Sequence, residues 1–135
     1  MIEIFTDGGS RNNPGDAGLG AYIVRDGEVL AELSEYLGKQ TNNYAEYTAV
    51  IRALEWCIEH SLAHEPLSFK MDSKLVVEQV QGNWKVKEPT LRPLVDRVRE
   101  LSATFPSATF THIRREYNKE ADRLANDAMD RGQAR

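Results

Sequence analysis

Apolar and polar residues alternate at the start of the chain. Ile2 and Ile4 interleave with Glu3 and Phe5, which predicts a strand over Met1–Asp7. Four glycines and Pro14 then predict a loop over Gly8–Gly18. Leu19–Arg25 and Glu28–Leu37 read as two more strands, and Asp26–Gly27 between them as a two-residue hairpin turn. Asn42 and Asn43 are placed to cap a helix over Tyr44–His60, in which Tyr47, Ile51, Leu54 and Ile58 form an apolar stripe. Leu67, Phe69 and Met71 alternate with Ser68, Lys70 and Asp72 in a fourth strand. Ser73 caps a short helix, Lys74–Val80, that Gly82 ends. After an irregular basic stretch, Asn83–Arg92, come a helix over Pro93–Thr104, a strand over Ala108–Arg114, and a last helix from Asn118 through Met129.

The order is therefore βββ-α-β-α-α-β-α. Three consecutive strands joined by short connections favour antiparallel pairing. Strands separated by helices favour parallel crossovers. The expected fold class is α/β, with a five-stranded mixed sheet (three antiparallel strands, then two parallel) flanked by helices.

Bulk properties narrow the picture. A length of 135 residues predicts a single domain over 1–135. The chain is 41% hydrophobic and 28% charged, which suits a globular core rather than disorder. Cys57 is the sole cysteine, so no internal disulfide forms. It is expected to be a small buried apolar residue. His60 and His64 are expected at the surface. With neither a secretory-type opening nor an apolar run of about 18 residues, the expected home is the cytoplasm, with no membrane contact. Nothing in the pattern asks for an oligomer, so a monomer is expected. The net charge of −4 opposes binding of a polyanion, unless bound cations cancel it.

Four acids supply such a place. Asp7 and Asp72 close strands, Glu46 lies in the first turn of a helix, and Asp122 opens the last helix. In open α/β sheets, function gathers at the carboxyl ends of strands. Each acid has an ordinary reading. Asp7 suits a turn before Gly8–Gly9, Asp72 and Glu46 suit helix starts, and Asp122 could pair with Lys119 or Arg123. Taken together, four acids converging at element ends would repel one another unless divalent metal sat between them.

These residues resemble the type 1 ribonucleases H. Thr6-Asp7-Gly8-Gly9-Ser10 with Asn13-Pro14-Gly15 resembles the family's opening motif, and Thr41-Asn42-Asn43-Tyr44-Ala45-Glu46 its second. Met71-Asp72-Ser73 resembles the third, and Asn118-Lys119-Glu120-Ala121-Asp122-Arg123-Leu124-Ala125 the fourth. The resemblance runs from residue 1 to about 130. It implies a ribonuclease H-like fold and an endonuclease that cuts the RNA strand of an RNA–DNA hybrid by a two-metal mechanism, leaving 5′-phosphate and 3′-hydroxyl ends. It makes Asp7, Glu46, Asp72 and Asp122 catalytic metal ligands for two Mg²⁺ ions, with Mn²⁺ as a possible substitute.

The same resemblance assigns substrate contacts. Gly8, Gly9, Ser10, Asn13, Thr41, Asn42 and Asn43 would face the 2′-hydroxyls of the cut strand. An amide donates and accepts as a hydroxyl does. Trp84, Lys85 and Lys87, with Arg92 nearby, would meet the DNA strand. The plainer reading makes Asn13 a turn residue, Asn42 and Asn43 caps, and Trp84 core filler.

Three departures from the family stand out. The basic handle is short. Lys74 stands where a Gln is common, so its contact would be ionic. The loop Arg114-Arg115-Glu116-Tyr117 has no histidine, His112 being expected within the strand, and Arg115 is left to contact phosphate. Two other readings stay open: a related nuclease with relaxed specificity, cutting double-stranded RNA, and a non-catalytic hybrid-binding module. Four mutually repelling acids are no use to the latter.

Overall fold

The computed structural model describes residues 1–134. Its strands are β1 (Ile2–Ser10), β2 (Gly15–Arg25), β3 (Glu28–Gln40), β4 (Leu67–Met71) and β5 (Ala108–His112). The helices are α1 (Asn42–Glu59), α2 (Lys74–Val80), α3 (Arg92–Ser102) and α4 (Lys119–Gln133). Short 3₁₀ turns occupy Pro89–Leu91 and Arg115–Tyr117. The strands form one sheet in the order β3-β2-β1-β4-β5. β1–β2 and β2–β3 pair antiparallel, whereas β1–β4 and β4–β5 pair parallel. The expected mixed sheet is thus present, with β1 where the two halves meet.

Strand alternation sends residues of β2 to opposite faces of the sheet. Ala21 and Ile23 join Ile2, Ile4, Phe69 and Met71 in a core covered by Tyr47, Val50 and Leu54 of α1 and Val95 and Val98 of α3. Phe69 and Phe110 stack at 5.0 Å across β4 and β5. On the other face, Gly18 and Gly20 lie directly beneath α4.

The expected loop over Gly8–Gly18 is mostly strand. β1 continues to Ser10, β2 begins at Gly15, and Gly9 pairs with Gly18 and Ser10 with Ala17. Several of these glycines serve close packing rather than a turn. Gly20, just beyond the stretch, does the same: a Cβ there would run into Ala121 O, with Ala125 N at 2.7 Å. A Cβ on Gly8 would meet the Ala45–Glu46 peptide, with Glu46 N at 2.5 Å. By contrast, Asp26 (φ 51°) and Gly27 (φ 80°) form the expected tight turn, both with positive φ.

Two caps also differ. Thr41, not Asn42 or Asn43, caps α1, its side chain accepting from Tyr44 N at 3.1 Å. Thr41 has the extended backbone a cap needs, while both asparagines are already helical. Glu46 therefore falls just beyond the first turn. Asn118 precedes α4 but makes no capping bond: its Nδ2 donates to Thr6 O of β1, and its Oδ1 is buried without a partner. Asp7 does not end β1. It lies one residue past the stretch that pairs with β4, whose last partners are Thr6 and Met71.

Replacing Gly20 with Ala should cost about 2 kcal/mol of stability, since its surroundings are main chain that cannot yield. Gly27→Ala, in open space, should cost about 1 kcal/mol through its positive φ alone. Urea denaturation measures both. A Gly20→Ala variant as stable as wild type would mean that α4 lies farther from the sheet than described.

Candidate functional site

The parallel register of β1 and β4 sets the site. Its last ladder pair is Thr6–Met71, so the next residues, Asp7 within β1 and Asp72 just after β4, emerge side by side where the parallel pairing ends. The bare backbone of Gly8 lets α1 approach β1 closely enough to deliver Glu46 to the same place. Asn118 Nδ2 donates to Thr6 O at 2.9 Å, tying the start of α4 to β1 one residue before Asp7. Asp122 follows one helical turn later, its N–H donating to Asn118 O at 3.0 Å.

Carboxylate oxygens of Asp7, Glu46 and Asp72 all lie within 4.8 Å of one another. Asp122 stands just outside that triad and interacts with Asp7. Asp7 is only 8% exposed. Burial, then the charge of Asp72, then a hydrogen bond with Asp122, push its carboxyl up to about 8, against a single lowering contact from the Gly8 amide. Glu46 is driven well above the usual carboxylate range, first by burial and then by Asp7 and Asp72. Its Oε2 is buried without a hydrogen-bond partner.

Among the described residues, no Lys, Arg or His forms an ion pair with Asp7, Glu46 or Asp72. The nearest pairing is at the rim, where Arg115 Nη2 lies 3.5 Å from Asp122 Oδ1. Lys119 and Arg123 are not partners of Asp122. Arg123 pairs instead with Glu32, Glu120 and Asp127. Three converging carboxylates and an orphaned buried oxygen form a donor set suited to a hard divalent cation, which takes oxygen ligands and relieves the repulsion. The residues fit such an ion.

The acids sit in an open cleft of about 570 Å³. Gly8, Gly9, Ser10, Asn42 and Arg115 also line it. Asn42 Oδ1 accepts from Ser10 N at 2.7 Å, and Asn13 Oδ1 accepts from Asn42 N at 3.0 Å. Asn13 thus holds the main chain of Asn42 and Thr41 caps the helix that carries it, and neither of them lines the cleft. Asn43 faces a second groove of about 530 Å³, together with Trp84, Lys85 and Lys87. Trp84 is 43% exposed, so it is not core filler. Lys74 Nζ lies 5.9 Å from the centre of its ring. Arg92 is not part of this groove and pairs with Asp96 on α3.

Sequence reasoning missed Arg11, Asn126 and Met129, which also line the main cleft. Two signals were available. Arg11 is a cation directly after the Asp7–Ser10 motif, and Asn126 lies one helical turn beyond Asp122.

The family model described as "Reverse transcriptase-like" matches residues 5–128. A bifunctional protein of Mycobacterium tuberculosis is 44% identical over 96% of this chain and 35% of its own length. Ribonuclease HI of Halobacterium salinarum is 40% identical over 96% of this chain and 64% of its own length. This chain therefore spans about a third of the mycobacterial relative and under two thirds of the halobacterial one. The crystal structure of LC11-RNase H1 in complex with RNA/DNA hybrid superimposes with a TM-score of 0.93 at 44% identity, covering 98% of this chain and 99% of that one.

The raised pKa values of Asp7 and Glu46 carry a pH signature. Without metal, Asp7 keeps its proton up to about 8 when folded but releases it near 3.8 when unfolded. Between these values the folded chain binds more protons, so stability falls as pH rises through that window. In EDTA at about pH 8, Asp7→Asn should melt roughly 5 °C above wild type, with a smaller gap near pH 5. A variant that melts below wild type at the higher pH would reveal a structural partner for Asp7.

Proposed function

Because the chain belongs to the type 1 ribonuclease H family, we propose that it is a metal-dependent endonuclease cutting the RNA strand of RNA–DNA hybrids. The observation that carries this reading is the triad of buried Asp7 with half-buried Glu46 and Asp72, with no ion-pair partner among the described residues, where the parallel pairing of β1 and β4 ends. The hybrid bound to the LC11 relative supports the substrate assignment.

Asp7, Glu46, Asp72 and Asp122 would hold two Mg²⁺ ions, with Mn²⁺ as a substitute. Bound there, the metal supplies Lewis-acid charge at the phosphodiester and a more acidic water, giving 5′-phosphate and 3′-hydroxyl ends. Asp7, deepest and flanked by the other acids, is the residue best placed to serve both ions. Glu46 Oε2 has no competing protein donor, so it is free to act as a ligand.

The Asn42 wall selects the strand. Its Oδ1 is occupied by Ser10 N, which directs its Nδ2 donors elsewhere, and a 2′-hydroxyl is an acceptor of the right kind. Gly8, Gly9 and Ser10 offer backbone close to the same path, while Asn13 and Thr41 hold the start of α1 that carries Asn42. The groove of Asn43, Trp84, Lys85 and Lys87 would take the DNA strand, with Trp84 giving a flat face and the lysines meeting phosphates. Arg115 at the cleft rim would contact phosphate of the cut strand.

One observation favours relaxed specificity as a second reading. Lys74 lies over Trp84, where it adds charge and no hydroxyl readout. We further propose that residues 1–135 act as one domain, as a monomer in the cytoplasm. No helix among the described residues is long and apolar enough to cross a membrane.

The test is cleavage of a labelled hybrid beside double-stranded RNA and double-stranded DNA, with Mg²⁺ or Mn²⁺. Wild type should cut only RNA within the hybrid. Asp72→Asn should stay folded and lose about a thousandfold in rate. Equal cutting of all three duplexes would overturn the hybrid reading, and full activity in EDTA the metal requirement.

A further inference from the structure

The main cleft contains a cation that none of these roles uses. Of the residues lining it, only Arg11 and Arg115 are positively charged. Arg115 is largely in water beside Asp122. Arg11 lies just past the end of β1, and its guanidinium reaches α4. Its Nη2 donates to Asp130 Oδ1 at 2.8 Å, to Asn126 Oδ1 at 3.1 Å and to Asn126 O at 3.4 Å. All three contacts use one nitrogen, so the N–H groups on Nε and Nη1 have no acceptor among the described residues.

A purely structural tie does not account for this arrangement. The Asp130 side chain is 64% exposed, and an ion pair that open to water contributes little stability. What the contacts do is hold a long side chain in one conformation at the lip of the cleft. That lowers the ordering cost of any ligand it meets. Asn126, which receives Arg11, also donates through Nδ2 to Asp122 O at 2.9 Å. One face of α4 therefore sets both an acid and a cation at fixed positions in the cleft.

We propose that Arg11 binds a phosphate of the cut RNA strand, beside the phosphodiester that the four acids face. The proposal rests on the hybrid-nuclease reading of the same cleft. A fixed guanidinium with free donors is suited to a phosphate oxygen, and each such contact releases a condensed counterion from the nucleic acid. Arg11 would anchor the strand on the α4 side, and Arg115 on the side of the loop before α4.

The experiment is hybrid binding by fluorescence anisotropy in Mg²⁺ over a range of salt concentrations, in an Asp72→Asn background that leaves the hybrid intact. Arg11→Met should weaken binding about tenfold and make the slope of log affinity against log salt shallower by about 0.9. Arg11→Lys should keep most of that slope. Asp130→Asn removes the tie but leaves the guanidinium, and should stay within about twofold of the background. Melting temperatures of all variants report on folding. An unchanged slope in Arg11→Met, or an equal loss in Asp130→Asn, would overturn the proposal. If wild type still cuts the hybrid in parallel, the nuclease reading survives that result. If wild type neither binds nor cuts, both fall.

Discussion

Three carboxylates share a space in which no cation among the described residues pairs with them, and the rest of the molecule is arranged around that repulsion. Asp7, Glu46 and Asp72 come from a central strand, a helix and a neighbouring strand, and their oxygens lie within 4.8 Å of one another. A fold seeking stability alone would separate them or insert a lysine. Here burial raises the protonation of Asp7 and Glu46 and leaves one glutamate oxygen without a partner. Strain of this kind is held only by surroundings that over-determine it. Its location in a family of metal-using nucleases gives it a purpose: the missing charge is to arrive with a bound ion.

What over-determines the site is close backbone approach. β1 sits between an antiparallel and a parallel neighbour, so it fixes Asp7 against Asp72 on one side and carries Gly8 under α1 on the other. Gly20, paired with Asp7 across β1 and β2, lies beneath α4 near Ala121 and Ala125. The amide of Asn118 then binds β1 itself. Two glycines and one asparagine thus set the distances between four acids. The substrate walls reuse these elements: Asn42 is held by Ser10, and Arg11 by Asn126 and Asp130.

Much of this was legible in the sequence, and the failures share a cause. Alternation in Ile2–Ile4 and Leu67–Met71 marks strands because burial there is decided within each segment. The Asp26–Gly27 turn is legible because positive φ is a local demand. The stretch Gly8–Gly18 reads as loop because a glycine looks the same whether it turns the chain or admits a helix. Gly8 admits α1, and Gly18 admits α4, which lies more than a hundred residues away in sequence. Arg11 was missed for the same reason, since its partners are 115 and 119 residues distant. Caps were misplaced by a residue or two because Thr41, Asn42 and Asn43 are all competent, and only the backbone conformation decides between them. The acid cluster is legible because each of the four acids falls at the end of a predicted strand or the start of a predicted helix. Its burial and its lack of a counter-charge became visible only in three dimensions.

The central claim is that the acid triad is a cation site, and calorimetric titration of the chain with Mg²⁺ or Mn²⁺ in the absence of nucleic acid tests it most directly. The account predicts saturable binding to wild type that Asp7→Asn weakens by at least about tenfold, since a buried charged ligand is lost. Binding of equal strength to both proteins, or none to wild type at millimolar ion, would contradict it.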